Sequence, residues 1–168
     1  MTTPDLEKQA QTYCEERGYS IDSRLGVGTQ GSVYVANIPS QSSDRIDQVA
    51  IKFHDREIAY NRELGVFLRL RDLQIEEIRG HMVPLLIDYD DELLAIEMTI
   101  VSPPFCLDFG GAYLDRKPDY TPEVWADWEE MKSEAFEENW AAVKKILATF
   151  ESFGVYIADV NPGNIKFE

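Results

Sequence analysis

The spacing of apolar residues changes character several times along the chain, and each change predicts an element. Residues 4–17 have helical character, with an acidic start at Asp5 and Glu7 and a stop at Gly18. From Tyr19 to Phe53 the pattern becomes alternating. SIDSRLGVG alternates, SVYVANI does so more clearly, and QVAIKF is a β-branched run, so three strands are expected. The polar, turn-rich segment 39–47 (PSQSSDRID) reads as a surface hairpin loop. Residues 55–71 return to helical spacing through Tyr60, Leu64, Phe67 and Leu68, with Asp55 as a cap. VPLLIDYDDELLAIEMTIV then reads as two strands around an acidic turn at Asp88–Glu92.

The segment 102–120 holds Pro103, Pro104, Gly110, Gly111 and Pro118, so it cannot be one regular element. Thr121 can cap a helix, Pro122 suits its first position, and Glu123 favours its positive end. Val124, Trp128 and Met131 form one apolar stripe, and Phe136, Trp140, Val143, Leu147 and Phe150 form a second. Gly154 stops the helix, and VYIADVNPGNIKF reads as strand, turn, strand. The fold class is α+β. Residues 1–101 form a first lobe, an antiparallel sheet with one packed helix and an N-terminal helical extension. Residues 102–120 are a hinge or linker, and 121–168 form a minimal helical second lobe.

Charge narrows the partners. The chain has 168 residues, with 16 basic and 31 acidic side chains and a net charge of −15. That average field repels nucleic-acid backbones and anionic membranes, so neither is expected as a partner. A basic peptide or protein is favoured, although an acidic surface also serves plain solubility. Two distant cysteines, Cys14 and Cys106, make neither a disulfide framework nor a paired metal motif, and a reducing cytoplasm is expected. The polar N-terminus does not read as a signal peptide, and the longest apolar stretches fall short of a membrane span.

Four motifs carry candidate chemistry. Gly26, Gly28 and Gly31 fall within GVGTQGSV and are followed by a strand pattern at Val33. A helix would follow in a dinucleotide fold, so a glycine flap between antiparallel strands is favoured, its N–H groups able to face phosphate oxygens. An ordinary glycine-rich hairpin stays open. Lys52 closes the strand run VAIK, where a partly buried ammonium asks for an anionic partner; a solvent-facing lysine is the alternative. Glu63, in mid-helix beside the apolar stripe, is preferred as that partner over Glu57, whose first-turn position a dipole role explains. Asp159 and Asn164, in DVNPGN, suit a hydroxyl-proton acceptor and a metal ligand, or a plain Asn-Pro-Gly turn.

In this order, over residues 19–168, the four motifs resemble the protein kinase-like superfamily, which includes bacterial kinase-like and aminoglycoside phosphotransferase-like members. The resemblance implies a two-lobed kinase-like fold that binds ATP and Mg²⁺. It would place Gly26, Val27, Gly28, Gly31, Val33, Ala50 and Lys52 about the nucleotide, with Glu63 orienting Lys52. Backbone at Glu97, Met98 and Thr99 would hold the adenine. Asp159 would be the catalytic aspartate, with Asn164 and Asp159 as metal ligands. The chain departs from the family pattern in three places. Ile157 and Ala158 replace the His-Arg before the aspartate, Asn161 stands where a lysine is usual, and only four residues follow Asn164, which leaves no room for the Asp-Phe-Gly segment expected there. Asp108-Phe109-Gly110 occurs upstream, and Asp108 could supply the missing carboxylate. The implied activity is an ATP-dependent phosphotransferase acting on a hydroxyl acceptor. The alternatives are a nucleotide-binding pseudokinase, or an interaction module without turnover.

Overall fold

The computed structural model describes residues 5–28, 30–39 and 47–168. Thr29, in the glycine motif, and most of the loop expected at 39–47 lie outside the described residues. The structure is α+β. Its helices are α1 (Leu6–Arg17), α2 (Glu57–Asp72), α3 (Pro122–Phe136) and α4 (Trp140–Ser152). The longer strands are β1 (Ser20–Gly28), β2 (Gly31–Ile38), β3 (Asp47–His54), β6 (Leu86–Asp90) and β7 (Ala95–Met98). The short ones are β4 (Glu77–Ile78), β5 (His81–Met82), β8 (Phe105–Cys106), β9 (Ala112–Leu114), β10 (Val155–Ile157) and β11 (Ile165–Lys166). Two compact units result, Met1–Leu64 with Pro84–Ile100, and Gly65–Val83 with Val101–Glu168. Residues 65–83, which the sequence pattern assigns to the first lobe, group with the second unit.

The first unit is a five-stranded sheet of order β1-β2-β3-β7-β6, antiparallel at every pairing. Strand alternation gives it two distinct faces. Tyr34, Ala36, Val49, Ile51, Phe53 and Ala95 join Ala10, Tyr13 and Cys14 of α1 in one buried cluster. Asp5 caps α1 by accepting from Lys8 N–H, and Gly18 ends it at φ 69°. The other face carries Val33, Val35, Ala50, Lys52, Ile96 and Met98, as the registers Val33↔Lys52↔Ile96 and Val35↔Ala50↔Met98 require. Helix α2 begins at Glu57, two residues beyond the expected cap Asp55. The acidic run Asp88–Asp90 belongs to β6, so the tight turn sits at 91–94 rather than at Asp88–Glu92.

The second unit buries the second stripe as the pattern predicts, with Phe136 closing α3 and Trp140, Val143, Leu147 and Phe150 on α4. The α3 stripe is corrected: Val124 and Met131 are 47% and 54% exposed, so helical period identified a face that the unit leaves open. Thr121 does cap α3, accepting from Val124 N–H, with Pro122 in the first turn. The 102–120 stretch is irregular overall but holds β8 and β9. β8 joins a sheet of order β11-β8-β5-β4, and β9 pairs with β10. Among the described residues no helix is long and apolar enough to cross a membrane.

Candidate functional site

The two units each hold part of the predicted set. In the first, Lys52 Nζ lies 2.7 Å from Glu63 Oε2, and both side chains are nearly buried. The register explains the approach: Lys52 projects from the sheet face opposite α1, and Glu63 comes from mid-helix. Glu63, not Glu57, makes the pair. His54 was not foreseen. Its Nε2 lies 2.7 Å from the same Oε2, and its Nδ1 lies 3.1 Å from the Leu94 carbonyl. Strand alternation could have found it, since residues two apart share a face. Burial alone pushes the Glu63 carboxyl up; Lys52 and His54 outweigh it and hold that carboxyl below its ordinary value. Both His54 nitrogens face acceptors, so both contacts are hydrogen bonds only when the ring carries two protons.

The glycine motif forms the end of the β1–β2 hairpin, with Gly26 opposite Val33, Val27 opposite Ser32 and Gly28 opposite Gly31. At Gly31 a side chain would force the backbone to shift: its φ is 156°, and a Cβ there would lie 2.0 Å from the Phe53 carbonyl oxygen. Gly26, Val33, Ala50, Lys52 and Met98 share one face by register. Val27 alternates away from it and is 68% exposed. Glu97 points to the α1 face, fully buried, where Tyr13 and Tyr19 hydroxyls donate to it at 2.7 and 3.3 Å. Burial and the Glu97 contact push the Tyr13 hydroxyl pKa well up. The Thr99 N–H donates to Leu85 O at 3.0 Å, so this group of the expected adenine-holding segment already has a backbone partner.

In the second unit Asp108 comes to lie beside Asn164, and Asp159 packs separately against Gly111. Antiparallel β8–β11 pairing is extended by Leu107 N–H donating to Asn164 O at 2.9 Å. This sets Asp108 beside Asn164, whose Nδ2 lies 3.4 Å from Asp108 Oδ2. Asp108 takes a left-handed φ of 66° and accepts from Gly110 N–H. Phe109 anchors the turn, 1% exposed, its ring 5.4 Å from Phe67 and 5.7 Å from Phe150. Burying such a ring contributes about 1.5–3 kcal/mol. Asp159 is exposed and packs on Gly111, where a Cβ would come within 2.7 Å of the Asp159 Cβ. The Asp159 loop is held by Trp128 Nε1–H donating to Ala158 O at 2.7 Å and by Gly163 N–H donating to Asn161 Oδ1 at 2.8 Å.

Among the described residues no three His, Cys, Asp or Glu side chains gather as a metal site. The Asp108–Asn164 pair offers hard oxygen donors, which suits an ion that takes its remaining ligands from water and phosphate. No protein-family model matches the chain, and no curated protein matches it.

Proposed function

We propose that the chain is a minimal kinase-like, ATP-binding protein that transfers the terminal phosphate of ATP to a hydroxyl acceptor, its two units being the lobes of a two-lobed kinase-like fold. The buried Lys52–Glu63 pair at 2.7 Å carries this reading. A lysine held by a helix carboxylate keeps its ammonium fixed for phosphate oxygens, and catalysis of phosphoryl transfer is mainly positioning and charge stabilisation. Support comes also from the glycine hairpin on the same sheet and from Asp108 lying beside Asn164.

In this reading Lys52 binds phosphate oxygens and Glu63 fixes its direction. Backbone N–H groups near Gly28 and Gly31 cover the phosphates, with Val33 and Ala50 supplying apolar surface. Asp159 accepts the proton of the acceptor hydroxyl as the oxygen attacks. Asn164 and Asp108, with Asp159, would hold Mg²⁺, which when bound neutralises charge on the phosphates. The test follows labelled γ-phosphate. Transfer by the wild-type chain, lost in Asp159→Ala and Lys52→Met, supports the proposal. ATP binding without turnover assigns the pseudokinase alternative, and no ATP binding overturns the nucleotide reading altogether.

A further inference from the structure

We propose that a cavity beside α3 in the second unit is a docking site for an arginine side chain from a basic segment of a partner protein. The cavity is about 160 Å³, with Trp125, Trp128 and Tyr156 among its walls and Glu129, Glu151 and Lys117 at its lining. This volume suits one planar group, since a cavity of about 150 Å³ takes a benzene ring. The Trp125 and Trp128 rings stand 5.4 Å apart at 80°, presenting an edge and a face.

The molecule itself shows what these rings attract. Lys117 Nζ lies over the Trp125 ring at 4.4 Å, and Lys144 Nζ lies 5.8 Å from the neighbouring Trp140 ring while pairing with Glu129 at 3.3 Å. A cation over an indole face with a carboxylate at the rim is thus already used at the cavity's edge. Charge points the same way. Residues 119–138 hold eight acidic side chains and one basic, a local charge of 1 − 8 = −7 out of the chain's −15. Exposed Val124 and Met131 extend the apolar surface along α3 beyond what a small ligand would cover. A peptide segment matches that extent. Arginine fits better than lysine because its flat guanidinium stacks on an indole while donating in a fork to a carboxylate.

The test uses the full chain and a capped nine-residue peptide of glycine and lysine with one central arginine, titrated by tryptophan fluorescence and calorimetry. The arginine peptide should bind, and its all-lysine counterpart, of equal charge, should bind about tenfold more weakly. Trp125→Leu should cost a similar factor, Trp125→Phe less, and Glu151→Gln a few-fold. If Trp125→Leu unfolds, the peptide pair and Glu151→Gln decide the matter. Equal affinity for the two peptides overturns the site in favour of diffuse charge attraction. Absence of binding at low ionic strength overturns it outright. Self-association of the chain abolished by Trp125→Leu overturns it in favour of a second copy as occupant. None of these outcomes depends on ATP.

Discussion

Asp108 and Asn164 stand 56 residues apart in sequence, yet their side chains lie 3.4 Å from each other. Two short strands cause this. β8 runs into Asp108, β11 follows Asn164, and their antiparallel pairing leaves the two residues side by side. On the proposed kinase-like reading, this would let a carboxylate that the kinase pattern places downstream be supplied from upstream. Asp108→Asn should weaken the Mg²⁺-dependent part of any stabilisation by ATP while leaving the fold intact, because the side chain is exposed and asparagine tolerates the left-handed φ of 66° and can still accept from Gly110 N–H. Circular dichroism checks the second point and thermal shifts with and without Mg²⁺ the first.

Glu63 should be the most sensitive carboxylate in the first unit. Its pair with Lys52 is buried, and removing one partner of such a pair costs about 3–5 kcal/mol because the other charge stays uncompensated. Glu63→Gln should lower the denaturation midpoint accordingly. The folded-state carboxyl lies below its ordinary value, so its contribution is present above the ordinary carboxylate range and is lost as pH falls through the folded value. Denaturation of the wild type against pH should show that acid loss, and Glu63→Gln should flatten it.

His54→Phe separates positioning from packing. The variant keeps a ring near Tyr60, whose centroid lies 5.7 Å from His54, but gives Glu63 no second donor. ATP affinity should fall several-fold, measured by titration calorimetry, with His54→Gln recovering part of it through one donor. A loss of stability with unchanged ATP affinity in both variants would make His54 purely structural.

Glycine at 31 and 111 should be required for different reasons. Gly31→Ala sets a methyl against the Phe53 carbonyl and should destabilise the hairpin by about 1–3 kcal/mol. Gly111→Ala meets the Asp159 side chain instead. It should depress phosphate transfer more than stability, which parallel rate and melting measurements would separate.

Much of this arrangement was legible from the chain, and the legible parts share a cause. Local signals settle α1, α4 and the β1–β3 run, since caps, period and β-branched runs act over a few residues. Glu63 could be preferred over Glu57 because helix position distinguishes a mid-helix carboxylate from a first-turn one. The Asp108–Asn164 approach was only an option, because strands of two residues leave almost no pattern and the contact depends on long-range pairing. Val124 and Met131 misled for the converse reason. Helical period reports a common face, and what covers that face is decided elsewhere in the fold.

The cysteines give an independent check on packing. Cys14 and Cys106 are both buried and unpaired with each other, and burial pushes the Cys106 thiol up to about 12. Native protein should therefore react slowly with a thiol reagent at neutral pH, and both thiols should react rapidly in denaturant. Fast labelling of Cys106 in the native state would contradict the core described here.

The most direct measurement is the thermal midpoint of the wild-type chain with ATP, with and without Mg²⁺, beside Lys52→Met. At ATP one hundred times its dissociation constant, binding to the folded state should add about 2.7 kcal/mol, which shifts the midpoint of a chain this size by roughly 5–10 °C. The account predicts that shift in the wild type, a larger one with Mg²⁺, and none in Lys52→Met. An unchanged wild-type midpoint at millimolar ATP and Mg²⁺ would contradict it.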